Sequence, residues 1–318
     1  MEIQKHRKWM ILGIVLLLVV AVAAGTADVW KNASTDTGKK GYVAVIRIDG
    51  PIYGGPDTES VLTGNSGVTS EELMRQFQAA RKDPQAKAIL VRINSPGGST
   101  GATQEIAEEM DKIRSSGKPI IISMGDMCAS AGYWLASKGN YIFATPATIT
   151  GSIGVYMDYT NIEDLMDKLG VKNEKIKSGA HKDILSMYRP MTDEEREMVQ
   201  SMVDDIYNQF VQTVADGRKM DENKVRSIAD GRILTGKQAQ DLGLVDAMGN
   251  YYDALSYAAS SGGIQSDSDN VPVKVYGGGV SLKGLLSGEA KNLSGIFAKA
   301  VADNFKEALM ESSAPSMK

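Results

Sequence analysis

The chain has 318 residues, of which 42% are hydrophobic, 23% charged and 6% aromatic, with a net charge of −4. This is the composition of an ordered globular protein, not of a disordered, collagenous or multi-span membrane chain, and it lacks the basic footprint of a nucleic-acid binder. One cysteine and two histidines exclude an intrachain disulfide and leave too few ligands for a Cys/His zinc site.

The first element is apolar. No charge occurs from Trp9 to Ala27; as a helix this stretch reaches about 28 Å, enough to cross a bilayer core. Lys5, Arg7 and Lys8 precede it, which favours a cytoplasmic N-terminus and an outward-facing remainder. A retained anchor is the expectation, with a cleaved signal peptide ending near Ala21-Val22-Ala23 as the alternative. Residues 28–41 are polar and small, a tether.

Beyond the tether the pattern changes. Tyr42–Ile48, Ala88–Ile93 and Pro119–Ile122 are short, nearly continuous apolar runs suited to strands buried on both faces. Helical patterns separate them, with Leu73, Phe77 and Ala80 on one face of the first and Thr103–Ile113 forming the second. Strand, helix and strand at this spacing predict βαβ crossovers, an α/β fold with a mostly parallel sheet. Further strands are expected at Tyr141–Phe143, Ile153–Tyr156 and Val271–Tyr276. The spacing predicts a long helix over Asp193–Asp216, opened by a Thr192/Glu195 capping box, stopped at Gly217 and serving packing only. Near the end, Ile296, Phe297, Val301, Phe305 and Leu309 have amphipathic helical spacing.

Three small-residue segments follow or flank predicted strands. Asn94-Ser95-Pro96-Gly97-Gly98-Ser99 lets backbone N–H groups approach an oxyanion closely, or is a plain strand-to-helix turn. Met127-Cys128-Ala129-Ser130-Ala131-Gly132-Tyr133 places a serine at a strand-to-helix junction, where it is either a nucleophile or a helix cap. Cys128 is a rival nucleophile or a small buried hydrophobe. Thr150-Gly151-Ser152-Ile153-Gly154-Val155 offers a further hydroxyl or a simple turn. An activated serine needs a base. His6 precedes the apolar segment, which leaves His181 and its neighbour Lys182, in Lys177-Ser178-Gly179-Ala180-His181-Lys182-Asp183. A lysine serves as base when it is neutral, which burial away from anions can achieve, although a loop lysine among charged residues is ordinarily solvated.

In this order the segments resemble the signal peptide peptidase A (SppA) family of Ser-Lys proteases. Gly231-Arg232-Ile233-Leu234-Thr235-Gly236, with Ala239, Gly243-Leu244-Val245-Asp246 and Gly249, completes the set. The resemblance covers about residues 42–260 and is closest to the short, single-repeat form of Gram-positive bacteria. It implies a ClpP/crotonase-like repeated β-β-α superhelix, preceded here by one transmembrane helix. It also implies Ser130 as nucleophile, Lys182 as general base, Ser152 as the hydroxyl beside the lysine, and an oxyanion hole from the N–H groups of Gly97 or Gly98 and of Ala131. Ala131 stands where family members often have glycine. The resemblance further implies a homo-oligomer of eight protomers sharing active sites, peptide substrates that are signal-peptide remnants, and a lipid bilayer as neighbour, with no cofactor, metal or nucleic acid.

The chain is thus expected to divide into a cytoplasmic N-terminus (1–8), an anchor (9–27), a linker (28–41), a protease domain (42–262) and a C-terminal extension (263–318). Two competing readings are a crotonase-like acyl-CoA enzyme and an inactive membrane scaffold of the same fold. Lys182 and the apolar segment stand against the first, and the joint presence of Ser130, Ser152 and Lys182 against the second.

Overall fold

A computed structural model describes residues 41–56, 67–268 and 270–277. The anchor, most of the linker and the amphipathic pattern at 296–309 lie outside the described residues. Among those described, no helix is long and apolar enough to cross a membrane.

The strands are β1 (Tyr42–Asp49), β2 (Ile52–Tyr53), β3 (Val68–Thr69), β4 (Ala86–Ser95), β5 (Ile120–Ala129), β6 (Tyr141–Ala144), β7 (Ile149–Gly151), β8 (Ile233–Thr235), β9 (Ala247–Met248) and β10 (Val273–Tyr276). The helices are α1 (Ser70–Lys82), α2 (Thr100–Ser115), α3 (Ala131–Ser137), α4 (Glu163–Lys168), α5 (Asp193–Arg218), α6 (Glu222–Arg226), α7 (Gly236–Asp241) and α8 (Tyr251–Ser261).

The main sheet runs β10-β1-β4-β5-β6-β9, all parallel, with β7 added parallel to the far end of β5 and β8 antiparallel to β7. The expected α/β class with a mostly parallel sheet is therefore present. Alternation sorts each strand between two cores. Ala44, Ile46 and Ile48 face α1, α2 and α3, whereas Val43, Val45, Ala88 and Leu90 face α8. Both faces are covered, so strands of this kind need apolar residues at nearly every position.

The long helix begins as expected: the Thr192 hydroxyl accepts from the Glu195 N–H, and the Glu195 carboxylate accepts from the Thr192 N–H. It does not stop at Gly217. The helix runs on to Arg218 and ends at Lys219, which takes the left-handed conformation at φ +53°. Gly217 is instead a contact point, since a Cβ there would lie 2.0 Å from the Ser137 carbonyl oxygen at the end of α3.

The strand expected at Ile153–Tyr156 is displaced. Pairing covers Ile149–Gly151 and breaks at Ser152, whose φ of +51° is incompatible with a continuing ladder. Helix α3 is fixed by two contacts: Trp134 stacks on Phe210 of α5 at 4.7 Å, and the buried Tyr133 hydroxyl donates to the Leu244 carbonyl at 2.9 Å. These hold the residue that opens α3, Ser130.

Candidate active site

Ser130 joins β5 to α3 and carries a backbone conformation of φ +53°, ψ −124°. A non-glycine residue held there costs on the order of 1–3 kcal/mol and persists only where the surroundings enforce it. They do so here through two backbone hydrogen bonds, from the Ser130 N–H to the Gly151 carbonyl and from the Trp134 N–H to the Ser130 carbonyl, each 2.9 Å. The side chain accepts no helix N–H. The capping alternative is thereby removed, because a serine cap sits in the extended region and bonds the first turn.

The glycine turn after β4 packs directly against this serine. A Cβ on Gly97 would lie 2.8 Å from Ser130 Cβ and 3.0 Å from the Ala131 nitrogen, so Gly97, at φ +114°, permits the approach. Gly98 is held from behind by Ile52. The Ile52 N–H donates to the Gly97 carbonyl and the Ser99 N–H to the Ile52 carbonyl, each 2.9 Å. This parallel bridge leaves the Gly98 N–H unused, whereas the Gly97 N–H is bonded to Ser95 Oγ at 3.1 Å. Of the two glycines, Gly98 is therefore the one whose N–H has no acceptor among the described residues; the Ala131 N–H, which opens α3, has no intrahelical partner. Ser95 and Ile52, which set this turn, carry no separate signal in the sequence beyond their place in or near the motif.

Ser152 is joined to the same centre. It follows Gly151, the acceptor of the Ser130 N–H, and its own N–H donates to the Arg232 carbonyl at 2.8 Å. Ser130 and Ser152 line one cleft of 450 Å³ together with Val155, Tyr156, Val203, Tyr207 and Asp230. Neither hydroxyl has a hydrogen-bond partner among the described residues. Gln200, Val203, Asp204 and Tyr207 belong to α5, so that helix builds a wall of the cleft as well as packing the core. Its amphipathic stripe concealed this, because a cleft wall and a core face share the same helical spacing.

Cys128 is fully buried on β5, with Sγ 3.4 Å from the Gly132 carbonyl, and burial pushes its thiol far up. A thiol kept protonated and out of solvent is packing, not a nucleophile.

Lys182 is not among the described residues that line the Ser130 cleft. It is exposed on the turn after Gly179 and has no ion pair among the described residues. The anions near it are engaged by other cations. Arg189 makes bidentate contacts with both Asp183, at 2.8 and 2.9 Å, and Glu195, at 2.6 and 2.7 Å, and Lys177 reaches Asp183 at 2.5 Å. His181 lies 3.6 Å from Glu194 and 3.9 Å from Glu195. Among the described residues lining the Ser130 cleft there is no lysine or histidine.

Residues 112–265 match the family model Peptidase family S49. The matched region includes Ser130, Ser152 and Lys182, so the strained serine lies inside the part of the chain that is similar to serine-type peptidases. Three relatives agree with this. Protease 4 of Salmonella typhi is 38% identical over 224 residues, 70% of this chain and 35% of that protein. The putative signal peptide peptidase SppA of Enterococcus faecium is 41% identical over 199 residues, 61% of this chain and 58% of that protein. The chloroplastic serine protease SPPA of Arabidopsis thaliana is 33% identical over 263 residues, 82% of this chain and 38% of that protein. Over the matched region the chain is similar to S49 and SppA peptidases. It spans 58% or less of the length of each of these three relatives.

Proposed function

We propose that this chain is a membrane-anchored serine endopeptidase of ClpP/crotonase-like fold that cleaves signal-peptide remnants with a Ser130–Lys182 dyad. The observation that carries the reading is the strained Ser130, which has a free hydroxyl on a cleft and the Gly97 turn packed against it; the Gly98 and Ala131 N–H groups are assigned to the oxyanion. In the proposed cycle neutral Lys182 takes the Ser130 proton and the alkoxide attacks a peptide carbonyl. The resulting oxyanion rests on the two N–H groups, and Lys182 protonates the leaving amine before water releases the acyl group. Ser152 orients the lysine.

The base comes from a neighbouring protomer in a ring of eight. Two observations support this reading: no lysine or histidine lines the cleft among the described residues, and several large apolar side chains stay exposed. Tyr156, Leu165, Leu169, Ile176 and Met202 are each more than half exposed. Residues 9–27 anchor the chain in the cell membrane, with residues 1–8 cytoplasmic and the catalytic body extracytoplasmic. A closed chamber beside the membrane excludes folded proteins and gives the lysine dry surroundings.

The decisive experiment mixes two inactive variants. Ser130→Ala and Lys182→Ala each lower hydrolysis of an apolar fluorogenic peptide by at least about a thousandfold, in the range expected when a nucleophile or its base is removed. Co-assembly of the two restores activity, because some sites then combine an intact serine with an intact lysine. Full activity in either variant alone refutes the dyad. Absence of recovery in verified mixed assemblies refutes sharing between protomers.

A further inference from the structure

On the face of the sheet opposite α3, the apolar alternation ends in charge. Val43 and Val45 of β1, and Ala88 and Leu90 of β4, pack under α8; the next residue on the same face of each strand is an arginine, Arg47 and Arg92. The two are direct partners in the parallel register, and neighbouring strands run about 4.8 Å apart. Like charges set opposite one another on adjacent strands are destabilising unless something neutralises them.

No carboxylate among the described residues lies within ion-pair distance of either arginine. Arg92 is half-buried and spends one nitrogen on neutral acceptors, Ser123 Oγ at 2.9 Å and the Met124 carbonyl at 2.7 Å, leaving the rest of its fork without a hydrogen-bond acceptor among the described residues. Arg47 is exposed and held over the Tyr251 ring at 5.8 Å, and the Tyr251 hydroxyl has no hydrogen-bond partner among the described residues. Burial, and after it the Arg47 charge, lower the pKa of Arg92, while Asp126 and Asp49 act the other way. The arrangement is rigid, being built on two central strands and the first residue of α8, and its donors converge from three elements.

We propose that Arg47, Arg92 and Tyr251 form a binding site for a phosphate-type oxyanion. Two guanidinium forks suit a tetrahedral anion, which accepts from both in bidentate fashion and removes their mutual repulsion. The same chemistry is offered by free phosphate and by the headgroup of an anionic phospholipid.

The test titrates the full-length protein, in a zwitterionic detergent, with inorganic phosphate, followed by phosphorus NMR line broadening. A parallel arm uses micelles doped with phosphatidylglycerol or with phosphatidylcholine. Saturable binding is expected, weakened at least about tenfold in Arg47→Gln, the loss of one charge-assisted contact. Arg92→Lys, which keeps the charge but not the fork, weakens it as well. Arg47 is exposed, so its variant folds and decides the matter should Arg92→Lys be unstable. A response to phosphatidylglycerol alone assigns a lipid headgroup; a response to free phosphate assigns a soluble ligand. No response in either arm, unchanged affinity in Arg47→Gln, or an equal response to acetate overturns the proposal.

Discussion

Gly97 and Ser130 touch across the junction of two βα units: a Cβ on the glycine would stand 2.8 Å from Ser130 Cβ, closer than real Cβ contacts come. The serine's strained conformation and the glycine turn are thus two halves of one device. Gly97→Ala adds that clash to a side chain at φ +114°. Peptide hydrolysis is expected to fall at least about a hundredfold, the scale on which a 1 Å misplacement acts. Stability falls by about 1–3 kcal/mol from backbone strain. Steady-state kinetics beside a thermal melt check it, and near-normal turnover in a folded variant would show that the close approach is dispensable.

Cys128 offers a contrasting case. Because its thiol is buried and held protonated, native protein should resist iodoacetamide and react only after denaturation. Cys128→Ala should keep full peptidase activity and lose about 1 kcal/mol or slightly more, the cost of removing one small buried group. Mass spectrometry of alkylated native protein settles the first point and denaturant melts the second.

The loop that presents Lys182 is held by Arg189 between two carboxylates. That guanidinium, with the Thr192 N–H, holds Glu195 down to about 2, and Arg189 with Lys177 holds Asp183 well below the usual carboxylate range. Both groups ionise more readily folded than unfolded, so their contribution is complete above about pH 4.5 and is lost as the pH falls towards 2. Hydrogen exchange in residues 177–195 should accelerate over that acid interval while the sheet stays protected. Arg189→Gln should show the fast exchange already at neutral pH; an unchanged exchange pattern would remove Arg189 as the organiser of the loop.

Gly217 tests helix packing against helix propensity. In a free helix, alanine improves on glycine by about 1 kcal/mol. Here its Cβ would meet the Ser137 carbonyl at 2.0 Å and push α5 from α3, so Gly217→Ala is expected to destabilise by at least about 2 kcal/mol, as overpacking does. It should also lower activity by shifting Ser130. A more stable variant would mean the two helices separate without resistance.

Much of the body was legible before folding was considered. Strands buried on both faces need continuous apolar runs, and those runs mark β1, β4 and β6 within a few residues of their observed bounds and the start of β5, which continues to Ala129. The Thr192–Glu195 box was equally plain, because capping is chemistry between residues three apart. Where backbone conformation was imposed from elsewhere, the pattern misled. Ile153–Tyr156 has the residues of a strand but follows Ser152 at φ +51°, a conformation enforced by the hydrogen bond to Arg232.

The same division holds for the site. By itself the sequence determined which residues were available: one serine at each of two turns, glycines after β4, a lysine beside the second histidine, and a cysteine in the middle. Tertiary structure alone decided among them. It showed that Ser130 is strained and uncapped, that Cys128 is buried, that Gly98 rather than Gly97 keeps a spare N–H, and that α5 walls the cleft. It also turned Lys182 outward from a loop whose own anions are already matched. The reason is physical: residue type and spacing fix local chemistry, whereas exposure, strain and hydrogen-bond partners arise only when segments distant in the chain are packed against one another.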